Sequence, residues 1–194
     1  MVSALADVDW PVRTERLTIR RATLGDLEAT WRFRRLDSVS EWLTSAPATL
    51  EEYRTQFENP DRLANTLVFQ LDGLVIGDLM VAVEDAWSQS EVADQAKGVQ
   101  AELGWVVDPA HEGKGYTTEA VREVIRICFE ELGMRRVTAG CFADNVGSRR
   151  LMERLGMRRE THARRDALHR SGRWLDGMSY AMLADEWTGA SDGR

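Results

Sequence analysis

No stretch of this sequence approaches the eighteen or so consecutive apolar residues that a membrane-crossing helix needs, which excludes a helical span. Cysteine is scarce. Cys128 and Cys141 are the 2 present; both sit in apolar segments without metal-type spacing. That excludes a disulfide framework, and the expectation is two buried thiols and no metal. Lysine is almost missing, with Lys97 and Lys114 the only examples, and the basic charge is carried by arginine. An excess of basic charge is missing too: the net charge is −7, which argues against nucleic acid as the main partner. The opening "MVSALADVDWPVRTERL" has acids where a secretory signal needs basic residues, and it lacks an apolar centre. A cytoplasmic location is therefore expected.

What is present describes an ordinary globular chain: 194 residues, 43% hydrophobic and 29% charged. This length suits one domain with a proper core, expected over 1–194, with its ordered part at about 13–187 and frayed termini. Alternation predicts a strand in residues 16–23. Helices are predicted at 25–36, 39–43 and 49–59, the last with Thr49 as N-cap and Glu52 three residues on. Residues 66–83 read as a hairpin around Asp72-Gly73. Residues 84–98 are polar and acidic and read as a loop insertion. A strand at 100–108 follows. Next comes a helix from about Thr118 to Leu132, with one apolar face and Gly133 as its C′ residue. A strand at 135–142, a short helix at 145–156 closed by Gly156, and two strands within 162–183 around Ser171-Gly172 complete the chain. The order predicts an α/β (α+β) domain built around one mixed sheet.

Between the strand and the long helix lies His111-Glu112-Gly113-Lys114-Gly115-Tyr116-Thr117-Thr118. Backbone N–H groups at a helix start lack intrahelical partners and favour an anion, and glycines let a ligand approach the backbone closely. The Walker pattern is absent, and the dinucleotide pattern fails because Thr118 stands where its third glycine belongs. On local grounds a plain turn and an anion cradle remain equal readings.

The loop and its surroundings resemble the GNAT superfamily of acyl-coenzyme A-dependent N-acyltransferases, and most closely its ribosomal-protein N-terminal acetyltransferase (Rim-type) branch. The segments "AELGWVVDP", "GYTTEAVR", "ELGMRRVTAGCFADNVGSRRLMERLGM" and "GRWLDGMSYAML" follow that branch in order and spacing. The loop pattern Gln/Arg-x-x-Gly-x-Gly/Ala is met at Gly115, while Glu112 and Thr117 depart from it. The resemblance implies a single-domain GNAT-like fold, with a mixed, mostly antiparallel sheet of about seven strands flanked by helices. It implies acetyl-CoA as co-substrate. The diphosphate would rest on the amides of Gly113, Lys114, Gly115, Tyr116, Thr117 and Thr118, with the Thr118 hydroxyl as a further donor. Pantetheine would lie along Trp105, Val106 and Val107, with Asn145 as a further coenzyme contact.

An amine nucleophile must be neutral. At pH 7 an α-amine costs roughly 1.4 kcal/mol to deprotonate, and a lysine nearly 5. Glu102 is the candidate general base. Period two puts it on one face with Gly104 and Val106, and Gly104 suggests a bulge or a close approach. The resemblance implies that Ser148, in the branch's Asn-x-x-Ser at a helix start, is the general acid for the departing thiolate, with Tyr116 and Tyr180 as alternatives; Asn145 and Ser148 also suit a plain helix cap. His111 is expected to face solvent. Arg149 and Arg150 read as a solvated helix face, with contact to the adenosine phosphate as the alternative, and Trp31, Trp42 and Trp174 read as core, with a lining of the acceptor pocket as the alternative. The expected acceptor is a small-molecule amine or a protein N-terminus. A second acyl donor such as succinyl-CoA, a non-catalytic acyl-CoA-binding module and a homodimer stay open.

Overall fold

The computed structural model describes residues 4–188. The fraying expected of residues 1–3 and 189–194 lies outside the described residues. Residues 4–12 depart from that expectation. Ala4–Asp7 form a 3-10 turn, Leu5 and Val8 are buried, and the Trp10 indole Nε1 donates to the Leu5 carbonyl at 2.7 Å. Apolar contacts and one indole hydrogen bond hold a segment whose sequence shows no periodicity.

Among the described residues eight strands form one sheet. They are β1 (Val12–Arg13), β2 (Thr18–Arg21), β3 (Thr66–Leu71), β4 (Leu74–Glu84), β5 (Gln100–Val107), β6 (Arg136–Phe142), β7 (Arg158–Leu168) and β8 (Trp174–Leu183), in the order β1-β2-β3-β4-β5-β6-β8-β7. β5 and β6 are parallel; β1–β2, β2–β3, β3–β4, β6–β8 and β7–β8 are antiparallel. About seven strands were expected. The additional one is the two-residue β1, too short to show alternation in sequence. Among the described residues six α-helices join them: α1 (Leu27–Arg34), α2 (Asp37–Ser40), α3 (Leu50–Phe57), α4 (Pro60–Ala64), α5 (Tyr116–Arg126) and α6 (Val146–Arg154). The single-turn α4 is missing from the sequence reading. Its signals are nonetheless present: Pro60 at its start, and an Asn59 side chain that caps the Asp61 and Arg62 amides at 3.0 and 3.1 Å.

The described chain falls into two compact units. The first comprises residues up to Val81 together with Gly104–Val121. Its core gathers Leu27, Phe33, Tyr53, Phe57, Val68 and Val106. Asp72 (φ 50°) and Gly73 (φ 84°) make the β3–β4 hairpin turn at the expected place. Thr49 caps α3 by accepting from the Glu52 amide at 3.2 Å, and the Glu52 carboxylate reaches back to the Ala48 amide at 2.8 Å. Arg34 of α1 forks onto the buried Asp78 of β4 at 2.5–2.7 Å, pinning helix to sheet. Glycine is required at position 77, because a Cβ there would lie 2.1 Å from the Phe69 ring and 2.5 Å from the Val106 carbonyl oxygen.

The second unit comprises Ala82–Leu103 and residues from Arg122 onward. The insertion after β4 is an ordered loop closed on itself. The Ala86 amide donates to Ala96 O at 2.8 Å, and the Gly98 amide donates to Asp85 at 2.8 Å. The long helix continues from α5 into a π-helical turn, Ile127–Glu131, and Gly133 (φ 63°) ends it as expected. Cys128 is buried. Cys141 is partly so, and burial pushes its thiol pKa up to about 11. Neither thiol is therefore a ready nucleophile at neutral pH.

Candidate functional site

Strand β5 enters the candidate site region. Its burial departs from strict alternation: Ala101 and Leu103 are buried, Gly104 and Trp105 are both intermediate, and Val106 is buried. The strict alternation expected of this strand is therefore not kept in burial at Gly104–Trp105. A Cβ on Gly104 would meet the Met80 side chain at 3.3 Å, which gives that glycine a packing neighbour. The ladder to β6 involves Gln100, Ala101 and Glu102, opposite Arg136, Val137 and Thr138, so Trp105, Val106 and Val107 stand outside that ladder.

Glu102 is half-buried. Partial burial, and after it the charge of Glu84 at the end of β4, push its carboxyl pKa above the ordinary value. Both effects disfavour the charged form, which makes Glu102 a stronger proton acceptor than an exposed glutamate.

Past β5 the chain turns sharply. The Asp108 carboxylate accepts from the Ala110 amide at 3.0 Å and pairs with Arg32 at 3.0 Å, and Pro109–His111 form a 3-10 turn. This turn corrects the expectation for His111. Its side chain keeps only 17% exposure, its Nδ1 is buried without a hydrogen-bond partner, and that nitrogen lies 3.8 Å from the Asp108 carboxylate. The Tyr116 ring lies near the imidazole, with centroids 6.5 Å apart, a proximity that the sequence reading did not use.

Gly113 (φ 71°) and Gly115 (φ 83°) both take left-handed backbone, which side chains rarely tolerate. The space beside Gly113 is open, since a Cβ there would meet nothing within 4 Å. Lys114 folds back, its ammonium donating to the Ala110 carbonyl at 2.9 Å. The helix then starts at Tyr116, two residues before the expected Thr118. Gly115 is the last residue off the helical path, and its carbonyl already accepts the Glu119 amide at 3.0 Å. Tyr116 and Thr117 thus open the first helical turn, where an α-helix leaves its N–H groups without intrahelical acceptors.

One side of the loop is held by the segment before β2. Glu119 accepts from the Thr14 hydroxyl at 2.6 Å, the Arg16 amide at 2.8 Å and the Arg16 Nε at 2.6 Å. Arg16 also donates to the Lys114 carbonyl at 3.0 Å and lies 4.7 Å over the Tyr116 ring. Sequence reasoning missed Thr14, Arg16 and Glu119. The contacts span about a hundred residues of chain, and no local pattern marks them.

In the second unit, Asn145 caps α6 by accepting from the Ser148 amide at 3.1 Å. This brings Asn145 and Ser148 together at one helix start, with both side chains partly exposed. Arg149 departs from a solvated face. It donates to the Ala143 carbonyl at 3.1 Å, and its Nε is buried without a hydrogen-bond partner; Arg150 is exposed. Tyr180 is buried and donates to Glu153 at 3.1 Å; burial and that carboxylate raise its pKa. Trp174 is 57% exposed, contrary to a core role, while Trp31 stacks on buried Tyr53 with centroids 5.3 Å apart. Among the described residues no group of histidine, cysteine, aspartate and glutamate could hold a metal ion, and no helix is long and apolar enough to cross a membrane.

The chain as a whole is similar to known proteins. The family profile described as Acetyltransferase (GNAT) domain matches residues 16–158. The uncharacterized N-acetyltransferase YnaD of Bacillus subtilis (strain 168) is 28% identical over 177 residues, covering 91% of this chain and 98% of the relative. The crystal structure of a GNAT-family acetyltransferase from Bacillus anthracis superposes with a TM-score of 0.76 at 29% identity, covering 91% of this chain and 99% of that one. Mycobacterium smegmatis RimJ, solved in complex with CoA-disulfide, shares the fold with a TM-score of 0.72 at 21% identity, covering 89% of this chain and 84% of its own.

Proposed function

This chain belongs to the GNAT acetyltransferase family and is an acyltransferase, and from that premise we propose that it transfers the acetyl group of acetyl-CoA to a primary amine, with a protein N-terminus as the favoured acceptor. The carrying observation is the loop at residues 112–118. Two left-handed glycines open directly into the first turn of α5, and the space beside Gly113 is clear. That arrangement fits a diphosphate, held by the amides from Gly113 to Thr118 and by the Thr118 hydroxyl. Because the family match runs through both compact units, they are read as one acetyltransferase domain.

Pantetheine would add strand-like bonds along Trp105, Val106 and Val107, whose backbone the ladder to β6 does not use. Glu102 would accept the proton of the incoming amine. The amine nitrogen forms a bond to the thioester carbonyl carbon, the carbon–sulfur bond breaks, and the departing thiolate takes a proton. Ser148 would supply that proton, taking in its place the one the nitrogen sheds as the amide forms, and Asn145 would touch the coenzyme, roles supported by the family resemblance and by their shared position at the start of α6. An α-amine is favoured over lysine because its deprotonation at pH 7 is cheaper by roughly 3 kcal/mol.

The test is a coenzyme A-release assay with a panel of amines and peptides, run with acetyl-CoA and with succinyl-CoA. Faster release with acetyl-CoA and an N-terminal peptide is the expected result. Binding of coenzyme A without turnover on any amine would leave a binding module instead. Glu112 supplies a further check. Its side chain is exposed beside the loop, where a carboxylate repels a diphosphate. Glu112→Gln is expected to leave the acetyl-CoA dissociation constant unchanged or lower it by calorimetry. Weaker binding would give the carboxylate a structural task in the loop.

A further inference from the structure

We infer that Arg16 is a positioning residue: by holding the Lys114 carbonyl it fixes the Lys114–Gly115 peptide plane so that the Gly115 amide is aimed at the donor's diphosphate. This rests on the diphosphate reading of the loop and adds the residue that sets the loop's shape.

The argument starts from backbone freedom. Lys114 lies between two glycines that both occupy left-handed backbone, at φ 71° and 83°. Glycine visits such conformations and their mirror images at similar cost, so the peptide planes around Lys114 have little intrinsic preference for one orientation. Nothing in the side chains of Gly113 or Gly115 can select it. The Lys114 ammonium is directed away, to the Ala110 carbonyl.

The selecting contact is Arg16. Its Nη1 donates to the Lys114 carbonyl oxygen at 3.0 Å. In a trans peptide the carbonyl and the following N–H point in opposite directions. Fixing Lys114 O on the Arg16 side therefore aims Gly115 N–H to the other side. A flip of this plane would break the Arg16 bond and turn a carbonyl oxygen toward an anion.

Arg16 is itself immobilised. Its Nε and Nη2 meet the same Glu119 oxygen at 2.6 Å, and its own amide donates to the other Glu119 oxygen at 2.8 Å. Thr14 completes the Glu119 carboxylate at 2.6 Å. The guanidinium lies over the Tyr116 ring, and a Cβ on Gly115 would sit only 3.4 Å from its Nη2. The pairing also quenches Glu119, a carboxylate in the first turn of α5 that would otherwise repel a diphosphate. Burial alone would raise the Glu119 pKa; the Thr14 and Arg16 hydrogen bonds outweigh it and hold the group charged. The planar fork matters, because Nε and Nη2 on Glu119 and Nη1 on the Lys114 carbonyl act from three fixed nitrogens, where an ammonium has one.

The test compares probes with and without a diphosphate: coenzyme A, inorganic pyrophosphate and pantetheine, measured by calorimetry on the full chain. Arg16→Ala is expected to weaken coenzyme A and pyrophosphate binding by about tenfold or more, and to leave pantetheine binding unchanged. Arg16→Lys, which keeps the charge and lacks the fork, should show a smaller loss with the same probe pattern. It carries the test alone if the alanine variant does not fold. Equal losses for all three probes would make Arg16 a general structural residue and overturn the inference. So would unchanged coenzyme A affinity in both variants. Absence of any coenzyme A binding by the unaltered protein would instead sink the diphosphate reading itself, a result distinct from either.

Discussion

Replacing Glu102 with Gln is expected to lower turnover by about a hundredfold or more while leaving acetyl-CoA affinity as it was, the range a lost general base spans. The split follows from the proposed role: Glu102 handles the acceptor's proton and does not grip the coenzyme. Burial and Glu84 both raise the Glu102 pKa, so the base is charged only above that raised value. Rates plotted against the concentration of neutral amine should therefore fall as pH drops through a point above the ordinary glutamate value of 4.5. In the Gln variant that acid limb should disappear. The linkage has the opposite sign for stability. A carboxyl whose folded pKa is raised contributes stability below its unfolded pKa and loses it as pH rises through the folded value. Glu102→Gln should accordingly stabilise the fold at neutral pH while depressing activity. Steady-state kinetics and thermal unfolding on the same samples check both halves. Unchanged turnover would remove Glu102 from the mechanism.

Asp78→Ala is expected to destabilise the fold by about 3–5 kcal/mol, because it strands a guanidinium in the interior. Arg34 keeps 17% side-chain exposure and Asp78 3%, and the two are joined by a two-pronged contact at 2.5 and 2.7 Å. Burial alone would lower the Arg34 pKa. The charge and hydrogen bonds of Asp78 outweigh it and raise it, so the arginine stays charged and needs its partner. The double change Arg34→Met with Asp78→Leu should recover much of the loss, since apolar side chains replace a buried pair at little net cost. Urea unfolding followed by circular dichroism reads both variants. A loss below about 1 kcal/mol for Asp78→Ala would place the pair with ordinary surface bridges.

Much of the fold was legible in the sequence because it is written in local periodicity. The apolar face of the long helix, from Ala120 through Val124 and Ile125 to Cys128, is buried as its spacing predicts. The Asp72-Gly73 hairpin, the Thr49 cap and the Gly133 helix end are equally local, each fixed by two to four neighbouring residues. Where the reading strayed, the signal was too short or came from elsewhere. β1 is two residues long and α4 a single turn. The burial of β5 breaks its alternation at Gly104–Trp105, so the local pattern did not predict which of its residues are buried beyond that point.

By itself the sequence determined the family, the order of the elements and a glycine loop leading into a helix. The family rests on a resemblance that runs through most of the chain, whereas the elements and the loop depend on residues close together, where φ preferences and side-chain period act directly. Tertiary structure alone decided what grips that loop and how charged its neighbours are. Thr14 and Arg16 meet Glu119 across 105 and 103 positions of chain, and Glu84 raises the proton affinity of Glu102 from the next strand of the sheet. Hydrogen bonds and Coulomb interactions depend on distance in space, and chain folding sets that distance with no trace in the local pattern.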